Sequence, residues 1–362
     1  MKAFEFDHQL ISAYEHFSRS FSTIRASDLR AEINAQYDAG RFWPDALLSL
    51  NPRFLEGPTV DELVVSNDLD EGTGRVFRFG EEAPLRFYRH QAEAIAKAKS
   101  GKSFVVTTGT GSGKSLCFFV PVDAIIRARR ACKPRRTIAI IVYPMNALAN
   151  SQMKEIDKFI AQSDLPEDLK PVVKRYTGQE SQEDRERIAA NPPDILLTNY
   201  MMAELLLTRQ DDLDAKVIGN ASGLEFIILD ELHTYRGRQG ADVAVLVRRL
   251  RDRCCVENVP ICIGTSATMA SEGSEEGRAL AVANVASRLF GAEIGPDAVI
   301  DESLQRATDD ALKIEHVVGV LGQILTRPIP DMLDDEVLRH HPLSVWTELE
   351  LGLDDGLELQ RK

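Results

Sequence analysis

Long apolar runs are missing from this chain. The most extended, Ile138 to Val142, is flanked by Arg135-Arg136 and Pro144 and falls far short of the ~20 residues needed to cross a bilayer. The first residues, Met1-Lys2-Ala3-Phe4-Glu5-Phe6-Asp7, carry acids and lack the apolar stretch of a secretory leader. A cytoplasmic protein with no membrane partner is therefore expected. Cysteine is scarce: Cys117, Cys132, Cys254, Cys255 and Cys262 show no CxxC spacing, which argues against zinc and for reduced thiols. The adjacent Cys254 and Cys255 are too close for an easy disulfide. A basic surplus is missing too, since 43 Lys and Arg against 56 Asp and Glu give a net charge of −13. That argues against electrostatic coating of nucleic acid but leaves room for a local groove for it. Internal repeats and low-complexity tracts are also absent.

What is present is a composition for a sizeable core, 44% hydrophobic and 27% charged over 362 residues. Three regions are expected. Residues 1–80 read as a mostly helical extension: Ser27 is a candidate N-cap, Leu29, Ile33 and Tyr37 share a face, and Gly40 ends the helix. Pro58-Thr59-Val60-Asp61-Glu62 predicts a capping box, and Asn67 to Gly74 a loop. Residues 81–290 alternate strand-like and helical patterns, predicting an α/β fold with a parallel sheet covered by helices on both faces. The expected strands are Phe104 to Thr108, Thr137 to Tyr143, Val172 to Tyr176, Asp194 to Thr198, Phe226 to Asp230 and Ile261 to Thr265. Residues 291–362 form an accessory segment in which Val345 to Leu353 alternates like a strand and Asp355-Gly356 signals a hairpin turn. The returning strand is short, and a fragment boundary is expected there.

Each short polar motif begins where a predicted strand ends, which is where open α/β sheets bind ligands. Thr108-Gly109-Thr110-Gly111-Ser112-Gly113-Lys114-Ser115 follows the first strand. Its glycines let successive N–H groups converge on a phosphate, Lys114 supplies a charge for β- and γ-phosphates, and the Ser115 hydroxyl suits Mg²⁺. A P-loop that binds ATP and Mg²⁺ is expected, although Thr108 stands where the strict pattern has its first glycine. In Asp230-Glu231-Leu232-His233, Asp230 is placed to hold Mg²⁺ through water and Glu231 to activate the attacking water. Ser266-Ala267-Thr268 offers hydroxyls that can bond His233 and Asp230 and couple the site to motion, or forms a plain polar turn. The Gln91 amide can pair with an adenine edge, with Phe87 or Tyr88 to stack on the base, or is a surface side chain.

Three further strand ends present amides and small polar groups suited to phosphate oxygens: Pro144 with Asn146, Gly178 with Gln179, and Thr198 with Asn199. Ordinary helix caps would use the same residues. Arg236 and Arg238 face nucleic acid, a neighbouring domain or solvent. Arg248-Arg249-Leu250-Arg251-Asp252-Arg253 suits a helix C-terminus.

In this order and spacing the motifs resemble superfamily 2 helicases of the DExH type over roughly residues 85 to 270, the first of two RecA-like domains. Asp230-Glu231-Leu232-His233-Thr234-Tyr235-Arg236-Gly237 and Tyr143-Pro144-Met145-Asn146-Ala147-Leu148-Ala149 look most like the Lhr-like and MrfA-like branch. The resemblance implies a RecA-like P-loop NTPase domain that uses ATP and Mg²⁺ and moves on nucleic acid, by analogy single-stranded DNA. Some relatives serve DNA repair or phage defence. It implies that Gln91 reads adenine, that Lys114, Asp230 and Glu231 drive hydrolysis, and that His233 with Ser266 and Thr268 links hydrolysis to movement. Such motors need a second RecA-like domain with an arginine finger. No Gln-x-x-Gly-Arg-x-Gly-Arg segment follows Thr268, so weak turnover is expected of this chain alone. A finger contributes about 10³ to 10⁵ in rate. A translocase without strand separation and a nucleotide-dependent binding switch are the alternative readings.

Overall fold

The computed structural model describes residues 3–21, 23–44, 53–79, 83–109, 111–114, 120–209, 211–255, 259–267, 274–324, 326, 334–353 and 357. The chain divides into two units, Met1–Asn51 and Pro52–Lys362.

The first unit holds two helices, Ala3–Ser20 and Ser27–Asp38. Ser27 begins the second helix and Ala26 is its N-cap, with no side-chain cap. Gly40 lies just beyond the C-cap at φ +73° and its N–H donates to the Tyr37 carbonyl at 2.9 Å, the left-handed ending that favours glycine. Tyr37 also donates to Ser18 at 3.0 Å and lies under the Arg19 guanidinium.

The second unit is built on seven parallel strands: β1 (Phe104–Thr107), β2 (Ala139–Tyr143), β3 (Val173–Arg175), β4 (Ile195–Asn199), β5 (Phe226–Leu229), β6 (Ile261–Ser266) and β7 (Val299–Asp301). They lie in the order β7-β1-β6-β5-β2-β4-β3. Every residue of β1, β2 and β5 is buried, as expected of strands covered on both faces, which read as unbroken apolar runs. The predicted α/β RecA-like fold is the observed one, and six of the strands lie where the apolar runs placed them.

Four expectations need restating. Residues 53–79 belong with the sheet unit. Thr59 and Glu62 do form a capping box there, but Glu71–Val76, expected as part of a loop, is a helix capped by the Asp70 carboxylate. This cap outweighs the local glycines because Asp123 accepts hydrogen bonds from both Asp70 N–H (2.6 Å) and Thr73 Oγ1 (2.8 Å). Strand β7 was not foreseen, and it brings the segment beyond residue 290 into the sheet. Its partner is the first strand, with Ile300 opposite Val106. The alternation of Val345 to Leu353 folds as helix Pro342–Thr347 and a π turn Glu348–Gly352. Glu348 accepts from the Ala307 and Thr308 N–H groups, and Leu353 packs with Phe54 and Leu304 in a small cluster. The Asp355-Gly356 turn lies outside the described residues.

Candidate functional site

Strand order decides which motifs meet. Since β1, β6 and β5 are neighbours, the loops after them share one stretch of the sheet's carboxyl rim. Since β2, β4 and β3 are neighbours, so do theirs. The first group holds the nucleotide-type motifs and the second the segments suited to a phosphodiester backbone.

In the first group, Gly111 and Gly113 adopt φ +84° and +71°, conformations natural to glycine. The loop is pinned from inside: Thr108 Oγ1 and Ser112 Oγ, both fully buried, are 2.6 Å apart. The hydroxyl thus gives Thr108 a bracing role that a glycine at that position could not fill. His90 Nε2 meets the Ser112 carbonyl at 2.9 Å. The Gln91 amide donates to the Gly113 carbonyl at 2.8 Å, while its oxygen accepts from Tyr88 N–H at 2.8 Å. Gln91 is therefore buried and engaged with the loop. Phe87 is packed in the core and has no face for a base, whereas Tyr88 is half-buried and stacks on His90. Thr110 and Ser115 lie outside the described residues. Lys114 Nζ is buried with no hydrogen-bond partner among them. A buried amine without an acceptor is costly, and the oxygens of a bound phosphate would satisfy it.

Asp230 follows β5 and is 7% exposed. Burial pushes its carboxyl up to about 6, reinforced by the neighbouring Glu231 charge and offset by the Thr265 hydroxyl and by Lys114. Thr265 donates directly to Asp230. From sequence alone the task falls to Ser266 and Thr268, and Thr265 does not stand out. The signal was in the register: Leu229 pairs with Gly264, so the next residues, Asp230 and Thr265, are adjacent. Glu231 takes φ +53°, a left-handed conformation rare outside glycine that stores local strain. The turn is held by Thr234, whose N–H and hydroxyl both donate to the Glu231 carbonyl. His233 Nδ1 lies 3.2 Å from Ser266 Oγ and 3.2 Å from Glu231 Oε2. It therefore bridges the acidic turn and the end of β6. Thr268 lies outside the described residues.

Glu302, just after β7, is a further unforeseen member of the site: its carboxylate accepts from the Gly109 N–H at 2.7 Å.

In the second group, Asn199 Nδ2 donates to Asn146 Oδ1 at 2.6 Å and to the Thr177 carbonyl at 3.2 Å. Its own oxygen caps the helix Tyr200–Thr208 through Met202 N–H. Asn146 opens the helix Asn146–Gln162, next to half-buried Pro144. One side chain thus ties three rim loops together. Thr198 is fully buried and donates to the Tyr176 carbonyl at 2.7 Å, so its hydroxyl braces the rim from within. The Gly178 amide, expected to be open to phosphate, donates to Glu180 at 2.9 Å, as the preceding Thr177 amide does at 2.6 Å. Gln179 and Arg236 are exposed.

The fold and this rim define a P-loop domain of helicase type, and residues 88–276 match the DEAD/DEAH box helicase family. The chain belongs to that family. It is 31% identical over 185 residues to the uncharacterized ATP-dependent helicase YprA of Bacillus subtilis, covering 51% of this chain and 23% of that protein. It is 26% identical over 285 residues to the ATP-dependent helicase Lhr-Core of Sulfolobus acidocaldarius, covering 76% and 30%. The helicase MrfA solved with bound DNA superimposes with a TM-score of 0.54 at 26% identity, over 70% of this chain and 29% of that one. The chain spans less than a third of each of these relatives. Among the described residues, no helix is long and apolar enough to cross a membrane.

Proposed function

We propose that this chain is the first motor half of an ATP-dependent DNA helicase or translocase, with residues 81–290 as its ATP-binding domain. The observation that carries the proposal is the buried amine of Lys114, which has no hydrogen-bond partner among the described residues, on the rim beside Asp230 and the Glu231–His233–Ser266 chain. In this reading the loop from Thr108 to Ser115 holds the triphosphate, with Lys114 facing its terminal phosphates. Asp230, through water, and Ser115 would hold Mg²⁺, whose charge offsets that of the phosphates. Glu231 orients and deprotonates the attacking water. His233 reports the state of that site to β6 through Ser266. Gln91 acts on the nucleotide through the loop, which its amide holds at the Gly113 carbonyl.

Asn146, Asn199, Gln179 and Arg236 would contact a single strand of DNA through its phosphates, which gives sequence-independent binding. DNA as the track is supported by the MrfA structure, which holds it. A second RecA-like domain completes the motor as partner, and turnover by these residues alone is accordingly slow. The strained Glu231 turn favours hydrolysis over a pure binding switch, which has no use for a positioned base. The test is equilibrium binding of a fluorescent ATP analogue. Wild type binds and Lys114→Ala loses at least tenfold in affinity; equal binding by both would overturn the reading.

A further inference from the structure

A cleft of about 810 Å³ opens at the β3 edge of the sheet, between the helices Asn146–Gln162 and Gln182–Ala190. None of the motifs accounts for it. In a chain of net charge −13, its lining is cationic: Arg135, Lys154, Lys174, Arg175 and Arg187 face three carboxylates. Two of those carboxylates are already matched, Glu180 by Arg175 at 2.7 Å and Asp184 by Arg187 at 3.4 Å. The third, Asp157, lies near Lys174. Arg135, Lys154 and Lys174 are exposed and form no ion pair among the described residues.

The cleft is continuous with the rim. Asn146, Asn150 and Lys154 stand at i, i+4 and i+8 on one helix, so they share a face that runs about 12 Å from the rim into the cleft. Asn146 meets Asn199 at the rim end. Asn150 accepts from Arg175 halfway along. Lys154 stands one turn further along the helix, and Lys174, next to Arg175 on β3, lines the same cleft.

We propose that this cleft is a second binding site for the phosphodiester backbone, taking the strand as it leaves the rim, with Lys154, Lys174 and Arg135 as its cations. The proposal rests on the nucleic-acid reading of the rim given above. Such contacts add affinity in proportion to strand length and are lost with salt, by about 0.7 in the log–log slope for each phosphate neutralised on a single strand.

The test is fluorescence anisotropy of the whole chain with a short oligothymidylate, sufficient for the rim alone, and a long one, each over a salt series. The variant is Lys154→Ala/Lys174→Ala. Both side chains are exposed, and a thermal melt verifies the fold. The expected result is a salt slope for the long oligonucleotide reduced by about 1.4, with the short one unchanged. An unaltered slope for the long oligonucleotide overturns the proposal while leaving the rim reading intact. No binding of either oligonucleotide by wild type overturns the rim reading and the proposal with it. Labelled polyglutamate is the third arm: if wild type binds it and the variant does not, with DNA binding unaltered, the cleft docks an acidic protein segment and the proposal fails.

Discussion

Glu302 accepts a 2.7 Å hydrogen bond from the N–H of Gly109, joining the end of the last sheet strand to the start of the phosphate loop across 193 positions. The contact fixes the loop and also sets a negative charge beside a site proposed to take a triphosphate. Glu302→Gln keeps an acceptor for Gly109 and removes the charge. ATP should then bind more tightly by on the order of 1 kcal/mol, roughly fivefold, as read by analogue titration. Weaker binding by Glu302→Gln would mean that the charge itself shapes the loop.

The raised carboxyl of Asp230 makes two linked predictions. Its folded value, about 6, lies above the ordinary 3.8, so the folded chain resists ionising it. The associated stability is present below about pH 4 and is lost as pH rises through about 6. The two-unit shift corresponds to about 3 kcal/mol. Asp230→Asn should therefore raise the melting temperature of the nucleotide-free chain at pH 7 to 8 and leave it unchanged near pH 4. A lower melting temperature at pH 7 would contradict this. Metal–nucleotide binding requires the ionised form, so wild-type affinity should fall below pH 6 and that of Asp230→Asn should be flat and low.

Gly264 in β6 lies against the acidic turn. A Cβ there would come within 2.4 Å of Leu232 Cδ1 and 3.3 Å of Phe290 Cε2. Leu232, between Glu231 and His233, and Phe290 are both fully buried, so an added methyl has to displace packed side chains beside the turn. Gly264→Ala should cost about 1 to 3 kcal/mol in denaturant unfolding, the range for overpacking. It should also lower ATP turnover more than ATP affinity. Wild-type stability and turnover together would show that the turn is not set by this contact.

The sheet was legible because strands buried on both faces must be apolar throughout, and Ile138 to Val142 and Phe226 to Leu229 are. The motif order followed from strand ends. Less visible was anything that depends on which strands become neighbours. Thr265 looked like the tail of a strand until the register set it beside Asp230. Glu302 follows a strand, Val299–Asp301, too short to announce itself. Glu180 gave no sign that it would satisfy the Thr177 and Gly178 amides. At Val345 to Leu353 a period of two competed with good helix formers, and the contacts of Glu348 and Leu353 decided for the helix.

The central claim is that these residues form an ATP-hydrolysing motor with Glu231 as its base. Steady-state ATP turnover by this polypeptide, beside Glu231→Gln and with ATP binding measured in parallel, tests it most directly. The account predicts slow turnover in wild type and a loss of at least a hundredfold in the variant, with ATP binding retained. Equal turnover in both proteins would contradict it.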